Sequence, residues 1–423
     1  MRTATQFINC RQCINGQLVA TPLTIDEDGL IIPSTPLPPS TTTIDLQNQI
    51  IAPGFIEIQI NGALGFHFAN YVDSVSYTEG IQKLSHYLPS TGVTGFYPTV
   101  PTVSTDVFHS VLPFLKPAQS SKGASVLGAH VEGPFLAPSK KGAHNAENMH
   151  VPEKSSLEDV YGEHNLKNVI EIVTMAPELP GALEHIEKLS NEYGICVSMG
   201  HSAATYEEGM KGLGAGANLL THTFNAMNPL HHRDPGLVAS PIAHSLFRPN
   251  SPITNHRLPP YPPTNPPPSS LHPSIISLLY HTRPTHALLT TDSIELSGLP
   301  DGTYPGHAQI PHPQQKTGNK VTIAGTDTLI GTCIPLDQCV RNLMDWAKVP
   351  VEKAVMTVTE NVADALALED RGRFGVGMRG DFVVLGEEGE VRETWLLGRK
   401  IWGKGGGGEW IGGSGSGVLA GAK

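Results

Sequence analysis

The chain has 423 residues, of which 39% are hydrophobic and only 16% charged, and its formal net charge is −11. This length allows one large domain, alone or with a small one. A negative chain without a lysine or arginine block is a poor partner for nucleic acid or an anionic membrane, and no apolar run has the roughly 18 residues of a membrane span. Five irregularly spaced cysteines and an N-terminus without an apolar signal core predict a cytoplasmic protein.

The two flanks of the chain differ in pattern from its middle. Residues 1–52 and 371–405 are turn-rich and β-like, so we expect strands from both chain ends to form one small β-domain. Cys10 and Cys13 form a single CxxC pair in the first flank. Because no second pair accompanies them, we interpret them as half-buried strand residues rather than a metal or redox site. The glycine-rich tail, 406–423, is expected to be disordered.

Between residues 53 and 370, β-like runs alternate with helix-like segments. The predicted strands, in chain order, are FIEIQI, VTGFYPT, SVLGAHVE, NVIEIVTMAPE, ICVSMGHS, ANLLTHTFNAM and HALLTTDS. The predicted helices are TEGIQKLSHYL, DVFHSVLPFL, ALEHIEKLSNEYG, LDQCVRNLMDWAKV and VEKAVMTVTENVADAL. This alternation predicts parallel βαβ units, and hence an α/β fold that is either a (β/α) barrel or a doubly wound sheet.

Four polar residues decide between these two folds. Glu132, His201, His222 and Asp292 each lie at or just beyond the C-terminal end of a different predicted strand. In a barrel these ends converge on one face, where active sites lie. In an open sheet, the C-terminal ends of four strands would rarely converge on one point. We therefore predict a barrel.

The same four residues predict a metal-dependent hydrolase. A catalytic zinc typically has three protein ligands, which Glu132, His201 and His222 would supply, and an open fourth position. Asp292 is then the spare carboxylate, able to take a proton from the attacking water and return it to the leaving group. Each residue alone could equally be a hydrogen-bonded structural residue or a loop cap, but the joint pattern favours the metal site.

Longer segments carry a resemblance to a known family. They are PGFIEIQING, HVEGPFLAPSKKGAHN, GHSAAT, THTFNAMNPLHHRDPG, LLTTDS and GTDTLIGT, in this order between about residues 53 and 375. Together they resemble the N-acetylglucosamine-6-phosphate deacetylases of the amidohydrolase superfamily, in their eukaryotic form. The resemblance implies a (β/α)8 TIM-like barrel over 53–370 with a small β-sandwich from both chain ends, and a homodimer. It also implies hydrolysis of the N-acetyl group of N-acetylglucosamine 6-phosphate to acetate and glucosamine 6-phosphate, a step of amino-sugar catabolism.

The resemblance also implies roles for individual residues. It makes Glu132, His201 and His222 the metal ligands and Asp292 the catalytic acid and base. His144 matches a histidine that polarises the amide carbonyl. Contacts to the sugar are implied for Ala143, Asn225, Ala226, Leu329, Ile330 and Gly331. Arg233 matches a phosphate contact, which suits the two parallel hydrogen bonds of a guanidinium; the alternative is a surface ion pair with Asp234.

The number of metal ions follows from the first predicted strand. Many amidohydrolases carry His-x-His there for a second metal, whereas this chain has Gln59-Ile60-Asn61. Amides are poor zinc ligands, so we predict one divalent ion per chain, with zinc favoured by the ligand set. His67 lies close by but off the strand and is interpreted as structural. Lys140 and Lys141 are interpreted as solvated charges without a role.

The proline-rich segment 248–270 departs from the family pattern where a barrel needs its seventh strand. The family has an apolar strand there that ends in Asp-Gly-x-His, and this histidine contacts the substrate; residues 267–270 stand in its place. Proline cannot donate to a strand ladder. We therefore expect 248–270 to be irregular, residues 236–247 to fill the gap at most in part, and the sheet to be distorted at this point.

Three functional hypotheses follow. The first is a deacetylase acting on N-acetylglucosamine 6-phosphate, with activity weakened by the missing motif. The second is a non-catalytic relative that binds metal and sugar or a protein partner without turnover, and only the proline-rich segment favours it. The third is a related hydrolase of another amide, such as a cyclic one. Arg233 within HHRDPG favours the first hypothesis over the third.

Overall fold

The computed structural model describes residues 3–240, 263–264, 271–306, 312–327 and 329–405. The α-helices within these ranges are Ser74–Tyr87, Thr105–Val111, Leu157–Tyr161, Glu163–Asn168, Ala182–Asn191, Tyr206–Ala215, Pro273–Thr282, Leu336–Ala347, Val351–Ala354 and Glu360–Ala365. None of these described helices has the length and apolar character needed to cross a bilayer.

Parallel strands in chain order form the first sheet. They are Phe55–Ile60, Val93–Pro101, Ser125–Val126, Ala129–Glu132, Ile170–Met175, Cys196–Met199 and Leu219–Leu220. Ser125–Val126 and Ala129–Glu132 both pair with Val93–Pro101. Every residue of the first two strands is buried, as expected for parallel strands covered on both faces. The helices between the strands supply the crossover connections that parallel pairing requires.

The first sheet curls back onto its first strand. Beyond the short strand Leu288–Leu289, Asp292 donates its backbone N–H to the carbonyl of Gln59 at 2.9 Å, and Asn61 donates to the carbonyl of Ser293 at 2.7 Å. The C-terminal ends of the first and last strands are therefore neighbours. A curled parallel sheet of this order is consistent with a TIM-like barrel.

The prediction that the proline-rich segment takes no part in the sheet is wrong at one point. Pro263–Thr264 pair in parallel with Leu288–Leu289. Proline lacks the N–H donor but keeps its carbonyl acceptor, so a two-residue pairing can include it. We predicted a gap or distortion between the THTF strand and the HALLTT strand. Within the described ranges, no ladder joins Leu219–Leu220 to Pro263–Thr264 or to Leu288–Leu289. Residues 241–262 and 265–270, on which the other expectations for this segment fall, lie outside those ranges.

The two chain ends meet in a second sheet. Its strands are Thr3–Ile14, Gln17–Val19, Leu23–Asp26, Ile31–Ile32, Ser40–Pro53, Phe382–Leu385, Val391–Leu396 and Arg399–Gly403. Gly54 is the single residue between this sheet and the first strand of the curled sheet. A Cβ there would lie 2.1 Å from Oγ1 of Thr94, so only glycine fits this close approach.

Cys10 and Cys13 are fully buried in the strand Thr3–Ile14, not half-buried as predicted. They belong to different hydrophobic clusters because an odd spacing along a strand places side chains on opposite faces. The two thiols therefore cannot converge on one metal ion. Burial raises the pKa of the Cys10 thiol to about 11.

The prediction of one helix over VEKAVMTVTENVADAL is also wrong. The segment forms Val351–Ala354, a 3-10 turn over Val355–Val358 and Glu360–Ala365. The Thr359 hydroxyl donates to the carbonyl of Val355 at 2.7 Å, and the backbone of Thr359 leaves the helical region. Threonine hydroxyls compete with helical backbone bonding in this way.

A small antiparallel sheet follows the last strand of the curled sheet and was not predicted. Its strands are Gly302–Tyr304, Gln314–Thr317, Lys320–Ile323 and Leu329–Thr332. Its last strand returns to the curled sheet, where Ile294 donates its N–H to the carbonyl of Thr332 at 3.0 Å. The segment GTDTLIGT thereby reaches the C-terminal strand ends.

We predict that the aromatic contact between the chain ends stabilises the fold. The Phe7 ring is fully buried, and its centroid lies 4.9 Å from that of Phe382 and 5.0 Å from that of Trp395. Phe7→Ala should lower the free energy of unfolding in urea by about 3–5 kcal/mol. Val376→Ala, at a site 70% exposed, is the control and should change it by less than about 0.5 kcal/mol. Equal stability of the two variants would contradict this prediction.

Candidate metal and catalytic site

A cavity of about 270 Å³ lies at the C-terminal ends of the curled sheet's strands. Most of the residues that the sequence singled out line it. Its lining consists of Asn61, His67, Pro101, Glu132, Gly142, Ala143, His144, His201, His222, Asn225, Ala226, Asp292, Ile294, Ile330, Gly331 and Thr332. Strand ends that are far apart in sequence therefore meet in one place, as a barrel requires.

Three of the four residues predicted at the strand ends have unusual backbone geometry. His201, His222 and Asp292 follow their strands with φ values of 47°, 29° and 49°. Residues other than glycine rarely occupy this left-handed region, at a cost of about 1–3 kcal/mol each. The conformation persists only because surrounding contacts fix it. Such strain is typical of functional sites.

Glu132, His201 and His222 bring three ligand atoms together. Oε1 of Glu132 lies 3.2 Å from Nε2 of His201 and 3.1 Å from Nε2 of His222. The two Nε2 atoms are 2.9 Å apart. All three side chains are buried, and within the described residues this is the one Cys, His, Asp and Glu group compact enough to hold a metal ion.

Backbone carbonyls fix the tautomers of both histidines. Nδ1 of His201 lies 2.7 Å from the carbonyl oxygen of Lys140, and Nδ1 of His222 lies 3.2 Å from that of Asn225. A carbonyl only accepts hydrogen bonds, so Nδ1 carries the proton in each ring. Each neutral ring therefore turns the Nε2 lone pair toward Glu132. In metal-binding histidines, a hydrogen bond at the second ring nitrogen usually fixes the ring in this way.

The donor atoms fit a divalent cation. Three lone-pair-bearing atoms within 3.2 Å of one another repel unless a positive charge lies among them. A proton on one ring would relieve only part of this repulsion. Tetrahedral zinc, with ligand bonds of about 2.0–2.1 Å, places its ligand atoms about 3.3 Å apart, close to the spacing found. Glu132, His201 and His222 could therefore hold a divalent metal ion.

Asp292 is placed beside the three ligands as a separate carboxylate. The Asn61 amide donates to its Oδ1 at 2.7 Å, and its backbone N–H is bonded to Gln59. Burial and the nearby Glu132 carboxylate raise the pKa of Asp292 to about 7. A carboxyl group with a pKa near neutrality can both take up and return a proton.

Side chains at alternate positions, along and just beyond the first strand, donate hydrogen bonds to the carboxylates of Glu132 and Asp292. Besides Asn61 at Asp292, Gln59 donates its side-chain N–H to Oε1 of Glu132 at 3.2 Å. Glu57, on the same face, is fully buried, and burial raises its pKa to about 7. The sequence indicated only that Gln59 and Asn61 are poor ligands. Their spacing of two residues was the available signal that both side chains face the site.

His144 presents a neutral N–H group to the cavity. The backbone N–H of Thr102 donates to its Nδ1 at 3.2 Å, so the ring proton lies on Nε2. This Nε2 is 4.0 Å from Oε2 of Glu132. Burial and the neighbouring His201 lower the pKa of His144 to about 3. The ring can therefore donate a hydrogen bond to a bound molecule without carrying charge.

Five of the residues implied as sugar contacts lie in the cavity. Ala143, Asn225, Ala226, Ile330 and Gly331 line it. Leu329 begins the strand that carries Ile330 and Gly331.

Arg233 is exposed and does not line the cavity of its own chain. The Asp234 side chain, its alternative partner, accepts the backbone N–H groups of Tyr206 and Gly236. Asp234 therefore stabilises its own loop through these two bonds. The geometry of a single chain does not bring Arg233 to the other predicted site residues.

Two residues contribute in ways that sequence reasoning missed. His67 was predicted to lie off the first strand as a structural residue. It lies outside Phe55–Ile60, in a short pairing of Phe66–His67 with Gly62–Ala63, and it lines the cavity. Its Nδ1 accepts the N–H of Ala69 at 3.0 Å. Lys140 is not merely a solvated charge, because its carbonyl anchors His201 and its ammonium donates to the carbonyl of Met227. Contacts made by a backbone carbonyl leave no signal in a sequence.

Comparison with known proteins identifies relatives over nearly the whole chain, although no family model matches. N-acetylglucosamine-6-phosphate deacetylase from Caenorhabditis elegans is 35% identical over 411 residues, which cover 94% of each protein. The Bos taurus protein of the same name is 34% identical over 418 residues, covering 94% of this chain and 95% of that protein.

Solved structures share the fold. A mutant N-acetyl-D-glucosamine-6-phosphate deacetylase from Mycobacterium smegmatis, in complex with N-acetyl-D-glucosamine-6-phosphate, has a TM-score of 0.77 and 23% identity, covering 95% of this chain and 99% of that one. At this identity the similarity establishes the fold alone. The two sequence relatives, at 35% and 34% identity, establish the family as well as the fold. This chain belongs to the N-acetylglucosamine-6-phosphate deacetylase family.

Proposed function

We propose that this protein hydrolyses the N-acetyl amide of N-acetylglucosamine 6-phosphate, giving acetate and glucosamine 6-phosphate in amino-sugar catabolism. One observation carries the chemical part of the proposal: two histidines with fixed tautomers aim their lone pairs at a buried glutamate beside a separate aspartate. The names of the relatives from C. elegans and B. taurus support the substrate.

The proposed cofactor is one divalent metal ion per chain, Zn²⁺, bound by Glu132, His201 and His222. Imidazole and carboxylate are ligands that zinc accepts in catalytic sites, whereas the amide of Gln59 is a poor one. A bound divalent cation acts as a Lewis acid, which lowers the pKa of water and polarises a carbonyl oxygen.

Asp292 and His144 have complementary proton roles in this proposal. Asp292 takes the proton from the attacking water and returns it to the amine nitrogen when the amide bond breaks. Asn61 donates to Oδ1 of Asp292 and thereby orients the carboxylate for this exchange. His144 donates its Nε2–H to the amide oxygen and stabilises the negative charge that develops there.

The proposed sugar contacts are Ala143, Asn225, Ala226, Leu329, Ile330 and Gly331. Arg233 is proposed to bind the phosphate. Because Arg233 lies outside the cavity of its own chain, we further propose a homodimer in which this loop serves the cavity of the second subunit. The guanidinium suits this task because it can hold phosphate through two parallel hydrogen bonds.

The architecture proposed around this site is a (β/α)8 barrel over 53–370 and a small β-sandwich from 1–52 and 371–405. The shared sheet of the two chain ends and its separate hydrophobic cluster around Phe7 support the second domain. A cytoplasmic location is proposed because the five cysteines, all within the described residues, form no disulfide bond.

The comparisons give no support to a relative that binds without turnover. The effect of the missing Asp-Gly-x-His motif stays a prediction, since residues 265–270 lie outside the described ranges. We expect turnover to be weaker than in a chain that has this motif, because one substrate contact is lost.

The proposed reaction is tested by acetate release from N-acetylglucosamine 6-phosphate with purified protein of known metal content. Asp292→Asn is the matched control, because it keeps the size of the side chain and removes the proton acceptor. It should retain the metal and lower kcat by about 10²–10⁴-fold. No acetate from the metal-loaded wild type would refute the function. A rate above about a tenth of the wild type in Asp292→Asn would refute the role of Asp292.

The metal assignment is tested by elemental analysis. We expect one zinc per wild-type chain and an empty site in His201→Ala and His222→Ala, because two remaining ligands hold zinc poorly. His86→Ala changes an exposed helix histidine and should keep the full zinc content. Two tightly bound ions per chain, or full occupancy in either ligand variant, would contradict the assignment.

The phosphate contact is tested with Arg233→Ala. Loss of a charge-assisted hydrogen bond should cost about 1.5–3 kcal/mol, which is roughly a 10- to 150-fold higher KM for the 6-phosphate. The KM for the unphosphorylated sugar should barely change. His232→Ala, at the exposed neighbouring position, is the control. Equal losses on both sugars would mean that Arg233 has only a structural role.

A further inference from the structure

A chain of buried hydrogen bonds runs through the interior of the curled sheet, below the ligand atoms. We name Ser198, Thr221, Thr174 and His130 the interior polar chain. The Oγ atoms of Ser198 and Thr221 are 2.6 Å apart, those of Thr221 and Thr174 are 2.6 Å apart, and Thr174 Oγ1 lies 2.8 Å from Nε2 of His130. All four side chains are at most 3% exposed.

In each hydrogen bond of the interior polar chain, the donor and the acceptor can be assigned. Nδ1 of His130 lies 2.9 Å from the carbonyl oxygen of Ile58 and carries the ring proton. In the neutral ring, Nε2 then accepts from Thr174. Thr174 must accept from Thr221, which in turn accepts from Ser198. Thr221 therefore uses its hydroxyl both as donor and as acceptor, so every hydrogen bond in this series has a defined direction.

The strand that leads to His222 has a short backbone ladder. Leu219–Leu220 pair with the neighbouring strand at Ser198 and Met199. The backbone N–H groups of Asn218 and Thr221 add bonds to the carbonyls of Val197 and Met199, at 3.0 and 2.9 Å. On the opposite side, no ladder forms within the part of the chain that the structure describes. The residue directly after Thr221 is the ligand His222, in a left-handed conformation.

Gly200, which follows the neighbouring strand Cys196–Met199, leaves space for the Thr221 side chain. A Cβ on Gly200 would lie 2.6 Å from the Cβ of Thr221, closer than side chains approach. Gly200 immediately precedes His201, so the segments that carry both histidine ligands pack directly on each other at this point. A small displacement of Thr221 would therefore change the separation of the two Nε2 atoms.

We propose that Thr221 is a positioning residue, which fixes the metal ligand His222 by tying the end of its strand to Ser198 and Thr174 through the sheet interior. This inference rests on the proposed function, because it requires that Glu132, His201 and His222 bind a metal ion. At this strand end, the interior polar chain thereby adds side-chain restraint to the short backbone ladder with Cys196–Met199.

Thr221→Val tests the proposal, because valine keeps the shape of threonine and removes both hydroxyl bonds. Zinc affinity, measured by competition with a chelator, should fall about 10-fold or more, as for other groups that orient metal ligands. Thr221→Ser should restore it. Thr223→Val is the matched control: Thr223 is buried two residues further on, and its hydroxyl has no hydrogen-bond partner within the described residues.

Thermal unfolding of the metal-free proteins separates positioning from general stability. A lower zinc affinity in Thr221→Val that serine rescues, and that Thr223→Val does not share, supports positioning. Wild-type zinc affinity in Thr221→Val, even with a lower Tm, overturns it. If Thr221→Val does not fold, Ser198→Ala carries the test, because it removes only one of the two bonds. Wild-type zinc affinity in the folded Ser198→Ala variant then overturns the proposal.

The proposal can fail independently of the function. If the wild type binds no zinc at Glu132, His201 and His222, the proposed function and this inference fall together. If the wild type binds zinc and releases acetate but Thr221→Val binds zinc equally well, only the inference falls.

Discussion

The site depends on one electrostatic constraint: three lone-pair-bearing atoms, from Glu132, His201 and His222, lie within 3.2 Å of one another in a buried pocket. Such atoms repel one another in a low dielectric. The protein holds them together through carbonyls at Nδ1 of each ring and an amide at the carboxylate. The binding energy of a divalent cation can then offset the repulsion.

The same constraint explains why the strand ends are strained. His201, His222 and Asp292 leave separate strands, and each takes a positive φ to face the cavity. Neighbouring segments then secure these turns: the first strand bonds to Asp292, and the loop before His144 supplies the carbonyl that holds His201. A rigid site therefore requires contacts from several elements that are distant in sequence.

Among the described residues, one of the shortest ladders of the curled sheet lies beside a proposed metal ligand, His222. Leu219–Leu220 has a two-residue ladder on one side and none on the other among the described residues, while the proline-containing pair Pro263–Thr264 adjoins the last strand. Buried hydroxyl groups of Ser198, Thr174 and Thr221 bond beneath this strand end. Hydrogen bonds between side chains can restrain a strand where the backbone ladder is short, provided that every buried polar group is satisfied.

The sequence alone determined the α/β alternation, the placing of Glu132, His201, His222 and Asp292 at strand ends, and the family. Hydrophobic periodicity and short motifs are local properties, which a sequence displays directly. Only the tertiary structure decided the tautomers of the two histidines, the support of both carboxylates by Gln59 and Asn61, the presence of His67 in the cavity and the absence of Arg233 from it. These features depend on backbone carbonyls and on contacts between distant segments. Residue type and spacing do not specify such contacts, and the spacing of Gln59 and Asn61 signals only that the two side chains share a face.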